Sequence, residues 1–306
     1  MSCKILDGAM GSELIRRGMI LPHHTWSADA NLSNPELVYQ IHKDYIDAGA
    51  DFITANTFRT TPRAFAKAES RKKETGERRQ RKGNSNQFCE EVEINAKASL
   101  SSAMRLAKKA AGRNIPVIGS IAPLEDCYLP ELFPGKTKAK KEFLHLGNLL
   151  VAAGADILIL ETMNSIQETF AGLLALQPLH VPIWMSFVLK DDNHLLSGEP
   201  LVEAIRLLES FEVEMMLLNC NSISRTEKAV EKIVDNWQGQ WGVYPNLGTG
   251  EPSPDGDIQK RESMQLYLQL IEKVIAMGAS VVGGCCGSSP EHIQNIQTLN
   301  FAKKGR

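Results

Sequence analysis

Hydrophobic and polar positions alternate along this chain with two periods. Short apolar, β-branched runs recur at Cys3–Leu6, Asp51–Asn56, Ile115–Ser120, Asp156–Glu161, Pro182–Leu189, Met215–Asn219, Gly242–Asn246 and Ser280–Cys285. Each is followed by a longer stretch with helical spacing: Pro35–Ala48, Glu90–Ala111, Lys141–Ala153, Ile166–Leu176, Leu201–Phe211, Arg225–Trp237, Met264–Met277 and Pro290–Leu299. Runs such as DILIL and SVVGG are apolar on both faces, which suits parallel strands covered by helices on one side and a packed interior on the other. Ser33-Asn34-Pro35 and Ser288-Ser289-Pro290 place capping residues before a proline in the first helical turn. AGAD at Ala48–Asp51 and Ala153–Asp156, with MGAS at Met277–Ser280, places a glycine where a helix ends in the left-handed conformation before the next strand begins. Eight β-then-α units over 306 residues predict a single α/β domain, a (β/α)8 TIM barrel spanning 1–306. A doubly wound open sheet is the rival, but it seldom has eight such evenly spaced units.

Composition narrows the function classes. Lys+Arg 34 against Asp+Glu 36 gives a formal charge of −2, without the basic excess of a nucleic-acid or anionic-membrane binder. No run reaches the roughly 18 apolar residues of a membrane helix, and the N-terminus reaches Asp7 without the apolar stretch of a secretion signal. A cytoplasmic protein is expected, with its six cysteines as thiols, metal ligands or core residues. The segment Ser70–Gln87 breaks the rhythm with seven Lys/Arg but no interleaved aromatics. It reads as a charged, mobile, solvated insertion at about 70–87, rather than as a phosphate or RNA patch.

A barrel predicts that reactive residues follow the C-terminal ends of its strands. Cys220 ends the sixth run in LLNCNS, and Cys285 and Cys286 end the eighth in VVGGCCGSSP. Three thiolates on one rim match a zinc site with an open fourth position. The competing reading is that each is a small buried hydrophobe, and spacing alone leaves both open. The glycines at 283, 284 and 287 favour turning both sulfurs toward one ion. Cys3 and Cys89 read as structural. His23 and His24 have no second ligand pair near them, and GTGEPSPDG (Gly248–Gly256) opens no helix, so it is not a phosphate loop.

These motifs together resemble the homocysteine S-methyltransferases, zinc- and thiol-dependent barrel enzymes that make methionine. The resemblance runs through LDGAMGSEL, TWSADANLSNPELVYQIHKDYIDAGADFITANTF, DILILETMNSIQE, PIWMSFVL, LSGEPL, LLNCNS, YPNLG and GGCCGSSPEHI. It implies Zn2+ held by Cys220, Cys285 and Cys286, binding the homocysteine sulfur as a thiolate for attack on a methyl group. Three thiolates on a divalent ion leave a net −1 site that keeps the substrate sulfur electron-rich. The resemblance also implies Glu161 as the partner of the substrate ammonium and Asp7 as a second contact or an orienting group. Gly8 would allow close backbone approach, Thr57 and Trp26 would line the pocket, and Asn246 would hydrogen-bond substrate or complete the zinc shell.

Two departures from the family pattern stand out, and the second bears on the donor. Ala9 replaces the usual second glycine of the first motif, and SIAPLEDCYLPELFPG (Ser120–Gly135) stands where short relatives carry a Gly-Pro-Tyr-Gly-Ala type segment. Cys127 lies in that loop and reads as an incidental buried thiol rather than a ligand. With the chain ending at Arg306, no cobalamin, folate or betaine-type extension is expected. The donor expected is therefore a sulfonium, S-methylmethionine first and S-adenosylmethionine second. The alternatives are transfer to another small thiol or selenol, and a non-catalytic zinc-thiolate barrel that binds a thiol metabolite. Partners are small molecules in every case, with no nucleic acid and no membrane.

Overall fold

In the computed structural model, residues 3–74, 85–249, 258 and 260–304 are described. Eight strands follow the predicted runs: β1 (Lys4–Ile5), β2 (Ile53–Ala55), β3 (Val117–Ile121), β4 (Ile157–Met163), β5 (Ile183–Phe187), β6 (Met215–Ser222), β7 (Gln240–Asn246) and β8 (Val281–Val282). All pair in parallel, in the order β1-β8-β7-β6-β5-β4-β3-β2. A parallel bridge between Leu6 and Phe52 brings the two ends of this order together, which closes the barrel.

Eleven α-helices are present among the described residues. They are α1 (Met10–Arg16), α2 (Ala30–Ser33), α3 (Pro35–Asp47), α4 (Pro62–Glu74), α5 (Ser85–Ala111), α6 (Lys136–Ala152), α7 (Ile166–Leu176), α8 (Leu201–Leu208), α9 (Ile223–Asn236), α10 (Met264–Ala276) and α11 (Pro290–Lys304). Eight of them coincide with the expected helical stretches. The short α1 and α2, together with α4, are additions to the predicted alternation. The segment expected to loop out at 70–87 is helical at both ends, as the last turns of α4 and the first residues of α5. Residues 75–84 lie outside the described residues.

Strand alternation divides the core in two. On β4, Ile157 and Ile159 face the barrel interior with Met215 and Leu217 of β6, Trp184 of β5 and Tyr244 of β7. Leu158 and Leu160 face outward into the layer beneath the helices. The interior is a packed core: Trp184 is 1% exposed and meets the Phe52 ring edge-on at 5.0 Å. Helix ends behave largely as the sequence predicts. Gly49, Gly154 and Gly278 take positive φ, at 103°, 89° and 103°, directly after α3, α6 and α10. Ser165, Ser222 and Ser263 cap α7, α9 and α10 through their side chains. Asn34 stands at the start of α3 but forms no side-chain cap bond, so Pro35 supplies the start signal there. No described helix is long and apolar enough to cross a membrane.

Candidate active site

The strand ends of a parallel barrel converge at one face, and here they enclose a cavity of about 440 Å3. Asp7 and Gly8 reach it from β1, Glu161 and Thr162 from β4, Asn219 and Cys220 from β6, Tyr244 from β7, and Cys285 and Cys286 from the segment after β8. The three predicted cysteines are brought together. The Cys220 and Cys286 sulfurs are 3.5 Å apart, those of Cys285 and Cys286 4.0 Å, and all three lie within 4.8 Å of one another. They form the only cluster of three or more His, Cys, Asp or Glu side chains among the described residues able to hold a metal ion.

Local backbone geometry aims these sulfurs. The pairing of β6 with β7 slips between Asn219 and Ser222, and the pairing of β4 with β5 slips between Leu160 and Met163. Cys220 and Thr162 sit at these irregularities with positive φ, 56° and 61°, which is costly for a β-branched residue such as Thr. Asn219 holds both in place. Its Oδ1 accepts from the Thr162 amide at 3.2 Å and the Ser186 hydroxyl at 2.6 Å, while its Nδ2 donates to the Thr162 hydroxyl at 2.7 Å. The same Nδ2 lies 4.0 Å from the Cys285 sulfur.

The loop after β3 crosses the mouth and places the Tyr128 hydroxyl 3.2 Å from the Cys220 sulfur. Hydrogen bonds from Cys285, Cys286 and Tyr128 hold the Cys220 thiol well below its ordinary value despite burial. Cys127, beside Tyr128, lines the cavity but stands outside the metal-binding cluster, as the sequence suggests. Burial pushes its thiol up to about 12, and its sulfur receives an Arg59 N–H at 3.7 Å.

Across the cavity stand two carboxyls. Asp7 is 4% exposed and accepts a hydrogen bond from the Thr54 amide at 2.8 Å. Burial pushes its pKa up to about 8, and the nearby Glu161 adds to the rise. Glu161 is also raised by burial, with the Ser120 hydroxyl, which donates to its Oε2, opposing the shift. Two carboxyls facing one cavity in this way are suited to a cationic ligand, which would favour their charged forms. Tyr244 is 3% exposed, and its hydroxyl is a further buried polar atom at this wall of the cavity, close enough to Glu161 to oppose the rise of its carboxyl.

The remaining predicted residues divide. Gly8 lines the cavity, and a Cβ there would come within 2.6 Å of the Tyr45 ring and 2.8 Å of the Ser288 hydroxyl, so the glycine is needed for strand 1 to pass them. Trp26 lines the cavity from a short 3-10 turn (Trp26–Asp29), with φ at 49°. Thr57 lies behind the wall: its hydroxyl donates to the Ser120 carbonyl at 2.8 Å and accepts from the Ser120 amide at 2.9 Å, which ties the end of β2 to β3. Asn246 is 1% exposed, and its Oδ1 accepts from the Gly248 amide at 2.6 Å, so it shapes the turn after β7 and is not among the cavity-lining residues. Sequence reasoning missed Tyr128, Asn219, Ser120 and Thr162. Asn219 had a signal in its place beside Cys220; Tyr128 had none, because its contact spans 92 residues.

Comparison with known proteins agrees with this geometry. The homocysteine S-methyltransferase family model matches residues 4–299. Homocysteine S-methyltransferase from Escherichia coli is 30% identical over 304 residues, covering 96% of this chain and 94% of its own length. Selenocysteine methyltransferase from Astragalus bisulcatus is 27% identical, covering 96% of this chain and 91% of its own length. The metallated form of the homocysteine methyltransferase MmuM from Escherichia coli superposes with a TM-score of 0.78 at 27% identity, over 98% of this chain and 96% of that one. With the match running almost end to end, and with three cysteines, Asp7 and Glu161 gathered at one barrel mouth, the chain belongs to the homocysteine S-methyltransferase family.

Proposed function

We propose that this protein transfers a methyl group from a small sulfonium donor, S-methylmethionine first and S-adenosylmethionine second, to the thiol of L-homocysteine, giving methionine. Zinc is the metal proposed for Cys220, Cys285 and Cys286. Tetrahedral zinc with Zn–S bonds of about 2.3 Å places its sulfurs about 3.8 Å apart. The 3.5 Å and 4.0 Å separations of two of the three sulfur pairs bracket that value. Zinc bound there supplies the Lewis acidity that keeps a fourth, substrate sulfur as thiolate at neutral pH.

The rest is the work of the chain's own residues. Glu161 and Asp7 face the substrate ammonium, which neutralises two carboxyls whose burial otherwise disfavours their charge. Ser120 holds the Glu161 carboxylate in place. Asn219 fixes the backbone beside Cys220, and Tyr128 hydrogen-bonds the Cys220 sulfur, so the acceptor sulfur is presented in one direction. The new S–CH3 bond forms as the donor's S–CH3 bond breaks, and the donor leaves as a neutral thioether. Alignment of two bound substrates supplies much of the rate.

The observation that carries this reading is the convergence of three sulfurs and the carboxyls of Asp7 and Glu161 on one cavity. The test is methionine formation from homocysteine and S-methylmethionine by zinc-loaded protein, with a chelated control. Zinc-dependent product is expected; product undiminished by chelation would overturn it. Transfer to a selenol is a second reading, favoured by the similarity to the Astragalus bisulcatus selenocysteine methyltransferase at nearly the same identity. Competition between homocysteine and selenocysteine in the same assay separates the two. We place the protein in the cytoplasm, with the whole described barrel as one functional unit.

A further inference from the structure

The lining of the cavity includes a guanidinium at the end of β2. Arg59 follows β2, and in a closed ring of eight strands β2 stands four places from β6, the strand that ends at Cys220. The Arg59 side chain lines the cavity. Its Nη1 donates to the Glu125 carbonyl at 2.6 Å and its Nη2 to the Cys127 sulfur at 3.7 Å, contacts that orient the guanidinium while using two of its five N–H groups.

The nearby carboxylates are engaged elsewhere. Glu125 pairs with Arg63 and Lys67, Glu142 pairs with Arg63, and Glu168 accepts from the Leu124 amide. Among the described residues no carboxylate lies within ion-pair distance of Arg59. A partly buried guanidinium held toward a cavity, with its fork of donors unspent on an acid, is suited to a carboxylate ligand. Asp126 lines the same cavity, and its Oδ1 accepts from the Tyr128 amide at 3.0 Å.

Direction of attack decides which substrate this part of the lining receives. In an in-line displacement the leaving sulfur lies on the far side of the methyl group from the attacking sulfur. With the acceptor sulfur at the cysteines and its ammonium at Asp7 and Glu161, the lining left for the donor includes the residues after β2 and the loop after β3.

We propose that Arg59 binds the carboxylate of the methyl donor, which makes the donor a sulfonium whose arm ends in an amino-acid head, with Asp126 beside its ammonium. This rests on the methyl-transfer reading above and names the residue that selects the donor. Trp26 and Tyr128 line the same cavity, and aromatic rings there suit a sulfonium charge.

The experiment is an equilibrium titration of zinc-loaded protein with S-methylmethionine, with its methyl ester and with homocysteine, for wild type, Arg59→Gln and Arg59→Lys. Wild type is expected to bind the free carboxylate about 30-fold more tightly than the ester, the scale of one charge-assisted bidentate contact. Arg59→Gln is expected to weaken S-methylmethionine by about that factor, while leaving the ester, homocysteine and zinc content unchanged. Arg59→Lys, which keeps the charge and loses the fork, should fall between. Equal binding of acid and ester by wild type would overturn the proposal. So would an Arg59→Gln variant that weakens homocysteine instead, or all three ligands alike. Turnover measured alongside keeps the two readings apart. A carboxylate preference without methionine formation overturns the methyl-transfer reading and leaves the Arg59 site standing; methionine formation without the preference overturns Arg59 alone.

Discussion

The two sides of the cavity are built by different physics. On the cysteine side, position comes from the barrel core. Cys220 ends a strand buried on both faces, its strained backbone is countered by Asn219, and Asn219 bonds to Thr162 and Ser186 with every partner buried. The loop Leu124–Leu129, by contrast, is held partly by ion pairs to a surface helix. Arg63 and Lys67 of α4 grip Glu125, Glu168 of α7 takes the Leu124 amide, and Asn164 donates to the Cys127 carbonyl at 3.0 Å. Buried hydrogen bonds are costly to leave unmade, whereas half-exposed ion pairs contribute little and weaken with salt. The cysteine cluster is therefore mounted on strand ends inside a fully buried network, and the loop wall on a mixture of buried hydrogen bonds and half-exposed ion pairs.

That contrast can be broken or sharpened by mutation. The largest effect is expected for Cys286→Ala, which leaves two sulfurs where three converge. Zinc stoichiometry should fall well below one per chain and turnover by roughly 1000-fold or more, read by metal analysis alongside methionine formation. Turnover near the wild-type rate would mean the cysteine side does not direct the chemistry.

Next is Asn219→Ala. It strands the Thr162 amide and the Ser186 hydroxyl in the core and releases two residues from positive φ, so stability should fall by roughly 3 kcal/mol in urea unfolding. A loss under about 1 kcal/mol would mean the strand ends hold their shape without it.

Tyr128→Phe removes the hydrogen bond by which the loop reaches the Cys220 sulfur. Fold and stability should hold, while zinc affinity or kcat drops by roughly 10-fold, measured by chelator competition and steady-state kinetics. An unchanged value for both would make the Tyr128 contact to Cys220 incidental.

The smallest effect concerns Glu168, whose carboxyl burial pushes up to about 7. The folded protein thus keeps a proton that the unfolded chain has already lost. Stability from this group is present below the ordinary carboxylate range, falls as pH rises from about 4.3 to 7, and is flat above that. Glu168→Gln keeps an acceptor for the Leu124 amide, so it should flatten that slope and gain on the order of 1 kcal/mol at pH 8, read from Tm against pH. An unaltered slope would assign the titration to another group.

Several of these residues show what a linear reading reaches. The eight strands, the eight barrel helices and the three cysteines follow from local pattern, because strand period, helix period and glycine at helix ends are properties of neighbouring residues. The direction of a side chain at a strand end is different. Thr57 and Asn246 occupy rim positions in sequence, yet Thr57 turns to the Ser120 backbone and Asn246 to the Gly248 amide. The shifts in register at Leu160/Met163 and Asn219/Ser222 decide which residues face the cavity, and no local pattern encodes them.

By itself, then, the sequence determined the alternation that makes a closed parallel barrel and the presence of three thiols at two of its strand ends. Hydrophobic period and turn chemistry act over a few residues, so they can be read along the chain. Only the tertiary structure decided that Tyr128 meets Cys220, that Asn219 locks Thr162, that Asp7 and Glu161 share one cavity wall, and that Arg59 lines the same cavity. Those contacts join residues tens of positions apart, and closing the barrel is what brings them within hydrogen-bond and Coulomb range.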